Sequence, residues 1–158
     1  MSATPHPYNQ DIIAWASEQA RLLRTGQFGQ LDIEHIAEEI EDVGKSEQRE
    51  LAGRMALLLA HLLKWQFQSA YRGNSWLRTI IDQRGGIIRR LKKTPSLKAS
   101  LEDADWWADA WQDARLQASR ETGIGYDAFP EILPWDLQQI VDPEFWPAPV
   151  LPLGRRGE

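Results

Sequence analysis

The stretch "LAGRMALLLAHLLKWQF", residues 51–67, limits what this chain can fold into more than any other. At helical spacing Leu51, Met55, Leu58, Leu62 and Trp65 form one stripe, and Ala56, Leu59, Leu63 and Phe67 form a second beside it. A helix apolar over most of its circumference belongs inside a fold. The rest of the chain must therefore supply a shell around it. One narrow strip stays polar: Arg54, His61, Lys64 and Gln68, at i, i+7, i+10 and i+14. Those groups are either the solvated edge of a core helix or the rim of a site.

The shell reads as further helices. Ile12, Trp15, Ala16, Gln19, Ala20 and Leu23 share a stripe that Gly26 ends. Asp32 caps a second helix with Ile33, Ile36, Ala37, Ile40 and Val43 on its apolar face and Gly44 as its stop. Ser46 caps the central third helix, which is expected to run to about Tyr71. Asn74 or Ser75 caps a fourth, ending near Lys93, with Trp76, Leu77, Ile80, Ile81, Ile87, Ile88 and Leu91 inward. Gly85-Gly86 weakens that helix by about 1 kcal/mol per glycine relative to alanine. "TPSL" opens a fifth, from Thr94-Pro95 to about Thr122, with Gly123 as its stop and Leu97, Leu101, Ala104, Ala108 and Trp111 inward. Beyond Phe129 the chain is punctuated by proline, with one short helix expected near residues 135–141. No strand alternation or repeat occurs. The expected fold is all-α: one compact helical domain over 11–146, five main helices about a long central buried one, and a Pro-rich C-terminal strap. A loose segment at 1–10 and a tail at 147–158 flank it.

Bulk properties narrow the function. A chain of 158 residues fits one domain, which at this size buries roughly 68–70% of its unfolded surface. A net charge of −5 argues against a non-specific binder of nucleic-acid backbones, which carries a basic footprint. The absence of cysteine excludes disulfides, thiolate metal sites and cysteine nucleophiles. The start, "MSATPHPYNQDII", lacks the charged and apolar regions of a signal peptide, and no uncharged apolar stretch approaches a membrane span. The expected location is the cytoplasm.

Candidate chemistry is sparse. Glu34, Glu38, Glu39, Glu41 and Asp42 crowd one segment, with His35 four residues before Glu39. His35, Glu38, Glu39 and His61 are weak metal candidates; no Glu-x-x-His pair of a di-metal bundle occurs, and a solvated acidic face is the preferred reading. No cofactor is expected. There is no Gly-x-Ser-x-Gly elbow, and "GQFGQ" and "RGGI" lack the ending and the preceding strand of a phosphate loop.

The cations are more informative. Arg84 and Arg115 fall on apolar stripes, Lys64 falls on the polar strip of the central helix, and Arg72 precedes the Ser75-Trp76 helix start. Buried charges need partners. Glu38 or Glu39, His61 and Glu121 can supply an internal network that fixes helix register. Alternatively the free N–H groups at Ser75, with Arg72, can seat a small anionic ligand. Enough acids exist to pair every cation, so the network is preferred. Trp111 reads as core, while Trp135, Phe145 and Trp146 either fold back over the bundle or anchor a partner. These features are read as a non-enzymatic binding or protein-interaction module. The alternative is a small-molecule enzyme or anion-binding protein with Glu39 as base and Lys64, Arg72 and Arg84 seating a carboxylate or phosphate, metal-dependent chemistry being a minor option. Nucleic acid and membrane are not expected partners; a protein partner, a second copy or a small anion stays open.

The segments "AWASEQARLLRTGQFGQLDIEHIAEEIEDVGKSEQREL", "LLLAHLLKWQFQ", "RGNSWLRTIIDQR", "TPSLKASLEDA" and "ARLQASRETGIGYDAFPEILPW" occur in that order across about residues 8–146. In them the chain resembles a bacterial family known as domain-of-unknown-function family 29. The resemblance implies a small, helical, soluble bacterial protein and brings no catalytic or binding role. By position the family-type pattern includes Glu38-Glu39-Ile40, His61-Leu62-Leu63-Lys64-Trp65, Ser75-Trp76, Arg84 and Glu121-Thr122-Gly123. Ser69-Ala70 stands where many relatives are expected to carry a proline, which makes the end of the third helix less sharply broken.

Overall fold

The structure is a computed structural model that describes residues 7–150. The first residues of the expected N-terminal segment, His6 among them, and most of the expected tail lie outside the described residues. Among the described residues the fold is all-α, with no strand. The helices are α1 (Ile12–Arg24), α2 (Ile33–Phe67), α3 (Asn74–Lys93), α4 (Ala104–Thr122) and α5 (Leu137–Val141). Short 3-10 turns lie at Phe28–Gln30, Ser69–Tyr71, Pro95–Glu102 and Tyr126–Ala128. Among the described residues no helix is long and apolar enough to cross a membrane. Cα packing distinguishes two compact units, Met1–Ser46 and Glu47–Glu158.

Five main helices are present among the described residues, but the chain partitions them differently from the sequence expectation. The expected second and third helices are one helix, α2, of 35 residues. Gly44 does not stop it. A glycine ends a helix by taking a left-handed conformation, which among the described residues only Gly26 (φ 72°) and Gly123 (φ 76°) adopt. Helix formers flank Gly44, so one interior glycine costs less than a break in the hydrogen-bond ladder. At its far end α2 stops at Phe67, four residues short of the expected Tyr71, and a 3-10 turn takes over. The expected fifth helix is divided instead. Residues Pro95–Glu102 wind as a 3-10 turn, then the Asp103 side chain accepts from the Asp105 N–H and starts α4 afresh. Neither Asn74 nor Ser75 caps α3; both lie inside its first turn, with Gly73 at the cap position.

In the first unit, Asp11 caps α1 by accepting from the Ala14 N–H at 3.0 Å. Trp15, Gln19 and Leu22 are its buried residues. Asp32 organises the entry to α2: its N–H donates to Gln19 Oε1 (2.8 Å), and its carboxylate accepts from Trp15 Nε1 (2.9 Å) and the His35 N–H (3.4 Å). Ile33, Ile40 and Val43, assigned to an inward face from the sequence, stand exposed.

The second unit holds the main core. Leu51, Met55, Leu58, Leu59, Leu62 and Leu63 of α2 are fully buried, as the sequence requires. Around them pack Ile80 and Ile87 of α3, Leu97, and Ala110, Trp111, Ala114 and Ala118 of α4. The Pro-rich strap completes the shell through Phe129, Trp135 and Ile140. A capping box joining Asp136 and Gln139 starts α5 and delivers Ile140 inward. Trp135 meets Trp111 edge-on at 5.8 Å and Trp146 lies 4.6 Å from Trp65. The strap folds back on its own helices. Ile81 and Ile88, expected inward, are about half exposed because they flank the buried line of α3 instead of forming it.

Gly44→Ala is a sharp test of the continuous α2. Open space surrounds Gly44, so a methyl group meets nothing. In a helix interior the substitution stabilises by about 1 kcal/mol, read as a higher urea midpoint. A loss of stability would place a helix end at Gly44.

Candidate functional site

The polar strip of α2 does converge with other elements in the second unit. Lys64, in the last turn of α2, and Gln68, just past its end, both reach the last turn of α4, and His61 lies one turn before Lys64. Lys64, buried, places Nζ 2.7 Å from Glu121 Oε2 and 4.8 Å from the centre of the Trp76 ring. Gln117, one turn before Glu121, donates to its other oxygen at 3.2 Å. Gln68 donates to the Thr122 carbonyl at 3.2 Å, satisfying one of the carbonyls left unpaired at a helix end. Thus Lys64, Trp76, Glu121 and Thr122, from three of the segments that carry the family resemblance, meet at one place.

His61 is buried and its Nδ1 lies 2.9 Å from the Leu57 carbonyl. A carbonyl only accepts, so Nδ1 carries the proton and the neutral ring holds its lone pair on Nε2. Burial pushes its pKa below the ordinary histidine value and the Lys64 charge adds to this, against the opposing pull of the Leu57 carbonyl and Glu121. For Glu121 burial acts upward, but the hydrogen bonds from Lys64 and Gln117 outweigh it and hold the carboxyl below its usual range.

The three arginines behave differently from the sequence expectation of acidic partners. Arg84, only 3% exposed, donates from Nε to the Ile140 carbonyl (2.8 Å) and from Nη2 to the Phe145 carbonyl (2.7 Å). Its guanidinium lies 5.2 Å from the centre of the Trp146 ring. Burial lowers its pKa, partly offset by the charge of Asp142. Arg115 donates to the Tyr126 hydroxyl (2.9 Å) and more weakly to the Tyr126 and Phe129 carbonyls, and sits 3.9 Å over the Tyr126 ring. Arg72 donates to the Trp65 carbonyl at 2.8 Å and stacks 4.7 Å over the Trp65 ring. Each arginine meets carbonyl oxygens and one aromatic face; only Lys64 of the four cations pairs with an acid. The physical reason is economy of desolvation. A guanidinium has five donors and a weakly hydrated plane, so carbonyls and a ring serve it without a second buried ion.

The remaining sequence candidates fall elsewhere. Ser75 is exposed and its carbonyl accepts from the Thr79 hydroxyl, while Arg72 is spent on capping α2. Glu38 and Glu39 belong to the first unit. There Glu39 accepts from the Tyr8 hydroxyl, whose pKa that hydrogen bond, burial and the Glu39, Glu38 and Asp42 charges push up to about 12. Tyr8 stacks on His35 at 4.1 Å, and His35 Nδ1 lies 2.7 Å from Asp32. That hydrogen bond, with a smaller contribution from Trp15, holds Asp32 below the usual carboxylate range against its burial. Among the described residues no three His, Asp or Glu side chains gather in a way that could hold a metal ion.

Sequence reasoning missed two features of the second unit. Tyr126 lies in an irregular segment without periodicity, so nothing pointed to it as the partner of Arg115. The second is a cleft of about 540 Å³ beside α4, lined by Trp107, Trp111, Arg115, Tyr126, Ile132 and Leu133. Its apolar lining and size are those of recognition sites. The signal available was "FPEIL", which puts two aliphatic residues after a proline where a helix cannot hide them.

Comparison with known proteins adds a family and no activity. No curated protein and no solved structure is found to match the chain. The model of one sequence family, described as "Domain of unknown function DUF29", matches residues 7–146, a span that takes in the helices of both units, the Lys64–Glu121 pair and the strap. On that match the chain belongs to the DUF29 family.

Proposed function

We propose that the chain is a non-enzymatic, cytoplasmic binding module for a protein partner, and that its interior charges hold the fold instead of carrying out chemistry. One observation carries this reading: the four cations singled out by the sequence are all engaged by groups of the protein itself. Lys64 is held by Glu121 and Trp76, Arg72 by Trp65, Arg84 by the strap, and Arg115 by Tyr126. The recognition surface in this reading is the cleft beside α4. Ile132 on its rim is 82% exposed, and a partner offering an apolar or aromatic side chain would cover it.

The structural role of the charges has two consequences. Arg84→Met leaves the Ile140 and Phe145 carbonyls without their donor. At about 1–3 kcal/mol for each of the two groups left unsatisfied, stability should fall by roughly 2–6 kcal/mol, measured by urea unfolding. An unchanged midpoint would overturn the role of Arg84 as the pin of the strap. The second consequence is pH dependence. His61 and Glu121 both have pKa values depressed by folding, so the unfolded chain binds their protons more readily. Stability is therefore complete above pH 6.5, the ordinary histidine value, and falls as His61 is forced to charge. It falls again below the ordinary glutamate value of 4.5. Urea midpoints from pH 8 to 3 should show both limbs, with His61→Gln flattening the upper one and Glu121→Gln the lower.

The binding role is tested at Ile132. Because that side chain is exposed, Ile132→Glu should leave the melting temperature unchanged. A protein partner recovered by the wild-type chain should be lost from the variant. Equal recovery by both chains would remove the cleft from the recognition surface.

A further inference from the structure

A second cavity in the second unit, of about 300 Å³, has the opposite character to the cleft. Glu47 and Arg54 line it from α2, at i and i+7; Gly86, Arg89, Arg90 and Lys93 line it from α3, at i, i+3, i+4 and i+7. Each set is one face of its helix. The polar faces of two helices thus enclose a pocket.

The cations in it are unequally satisfied. Arg90 is fully engaged, 3.0 Å from Glu47 and hydrogen-bonded to Glu50. Arg54 is held loosely, 3.6 Å from Glu50 and 3.4 Å from the Gln83 side-chain oxygen, and its Nε is buried with no partner. Arg89 and Lys93 meet no acidic side chain among the described residues. Four cations therefore face the two carboxylates of Glu47 and Glu50, an excess of two positive charges in a chain whose net charge is −5.

The glycine pair explains how these heads come together. A Cβ on Gly85 would lie 3.0 Å from Arg89 Nη1; one on Gly86 would lie 3.1 Å from Arg54 Nη1 and 4.0 Å from Arg89 Nη2. Two guanidinium groups thus converge on a stretch of helix stripped of side chains. Glycine is the poorest non-proline residue for a helix interior, so its use twice in succession needs a reason. Like charges gathered around one point repel, and a buried N–H without a partner is costly. An oxyanion in the cavity relieves the repulsion among the gathered heads.

We infer that this cavity binds a phosphate group, clamped by Arg54, Arg89 and Lys93 over Gly85-Gly86. The tetrahedral oxyanion matches the forked donors of guanidinium, which hold phosphate bidentately, and Lys93 adds a mobile point charge. Glu47 and Glu50 fix Arg90 as one wall and keep it out of competition. Their negative charge beside the pocket disfavours a continuous nucleic-acid backbone, so the ligand is inorganic phosphate or the monoester of a small molecule. This assignment does not depend on the cleft beside α4.

Isothermal titration of the full chain at low ionic strength tests it, with inorganic phosphate in one arm and glycerol phosphate in the other. Saturable binding is expected, tighter for the ester if the natural ligand is a monoester and equal or tighter for the inorganic ion if it is not. Arg89 is exposed, so Arg89→Ala should keep the melting temperature and weaken binding by roughly tenfold or more, the loss of one charged hydrogen-bonding group. Gly85→Ala should displace the Arg89 head and weaken binding while raising the melting temperature. Lys98→Ala, an exposed charge outside the cavity, should bind as the wild type does. No saturable heat in either arm, full binding by Arg89→Ala, or an equal loss in Lys98→Ala would overturn the proposal.

Discussion

Burying a cation costs several kcal/mol unless the protein replaces the water it loses, and the second unit depends on how it meets that cost. Lys64, Arg84 and Arg115 are all buried around the same apolar helix. Each is also a tie between elements distant in sequence: α2 to the end of α4 through Glu121, α3 to the strap through Ile140 and Phe145, α4 to the turn at Tyr126 through its hydroxyl and carbonyl. The apolar core has no preferred register of its own, because leucine faces pack in many ways. Directional bonds to single carbonyl oxygens do impose one. The charges inside this unit act as fasteners for the irregular segments, adding directional bonds to the apolar contacts of Phe129, Trp135 and Ile140.

That arrangement explains how much the sequence could tell. The buried helix was legible because residues 51–63 are apolar at every inward position, and the fold-back of the strap was legible because its tryptophans had nowhere better to go. Arg84 and Arg115 were legible as buried from their places on apolar stripes. Their partners were not. A carboxylate announces itself in a sequence, whereas every residue carries a carbonyl. When a guanidinium is served by backbone oxygens, the sequence shows the donor and conceals the acceptor. Helix ends were similarly mixed: Gly26 and Gly123 act as stops, Gly44 does not, and the difference lies in backbone conformation that glycine permits without enforcing.

The same asymmetry separates two populations of cations. Those on apolar faces are engaged, by an acid, a carbonyl or a ring, because an unserved charge there would unfold the unit. Those on the polar face between α2 and α3 are under no such compulsion, since water can serve them, so any close gathering of like charge there must be held by design of the surrounding chain. Gly85 and Gly86 are that design: their missing side chains admit Arg54 and Arg89 to one place, at the expense of helix propensity. Read from the sequence alone the pair is a weakness in α3. Read with the guanidinium groups lying against it, the weakness is the floor of a pocket. Interior cations are thus a guide to how this fold is held, and those gathered beside glycine are the better guide to what it binds.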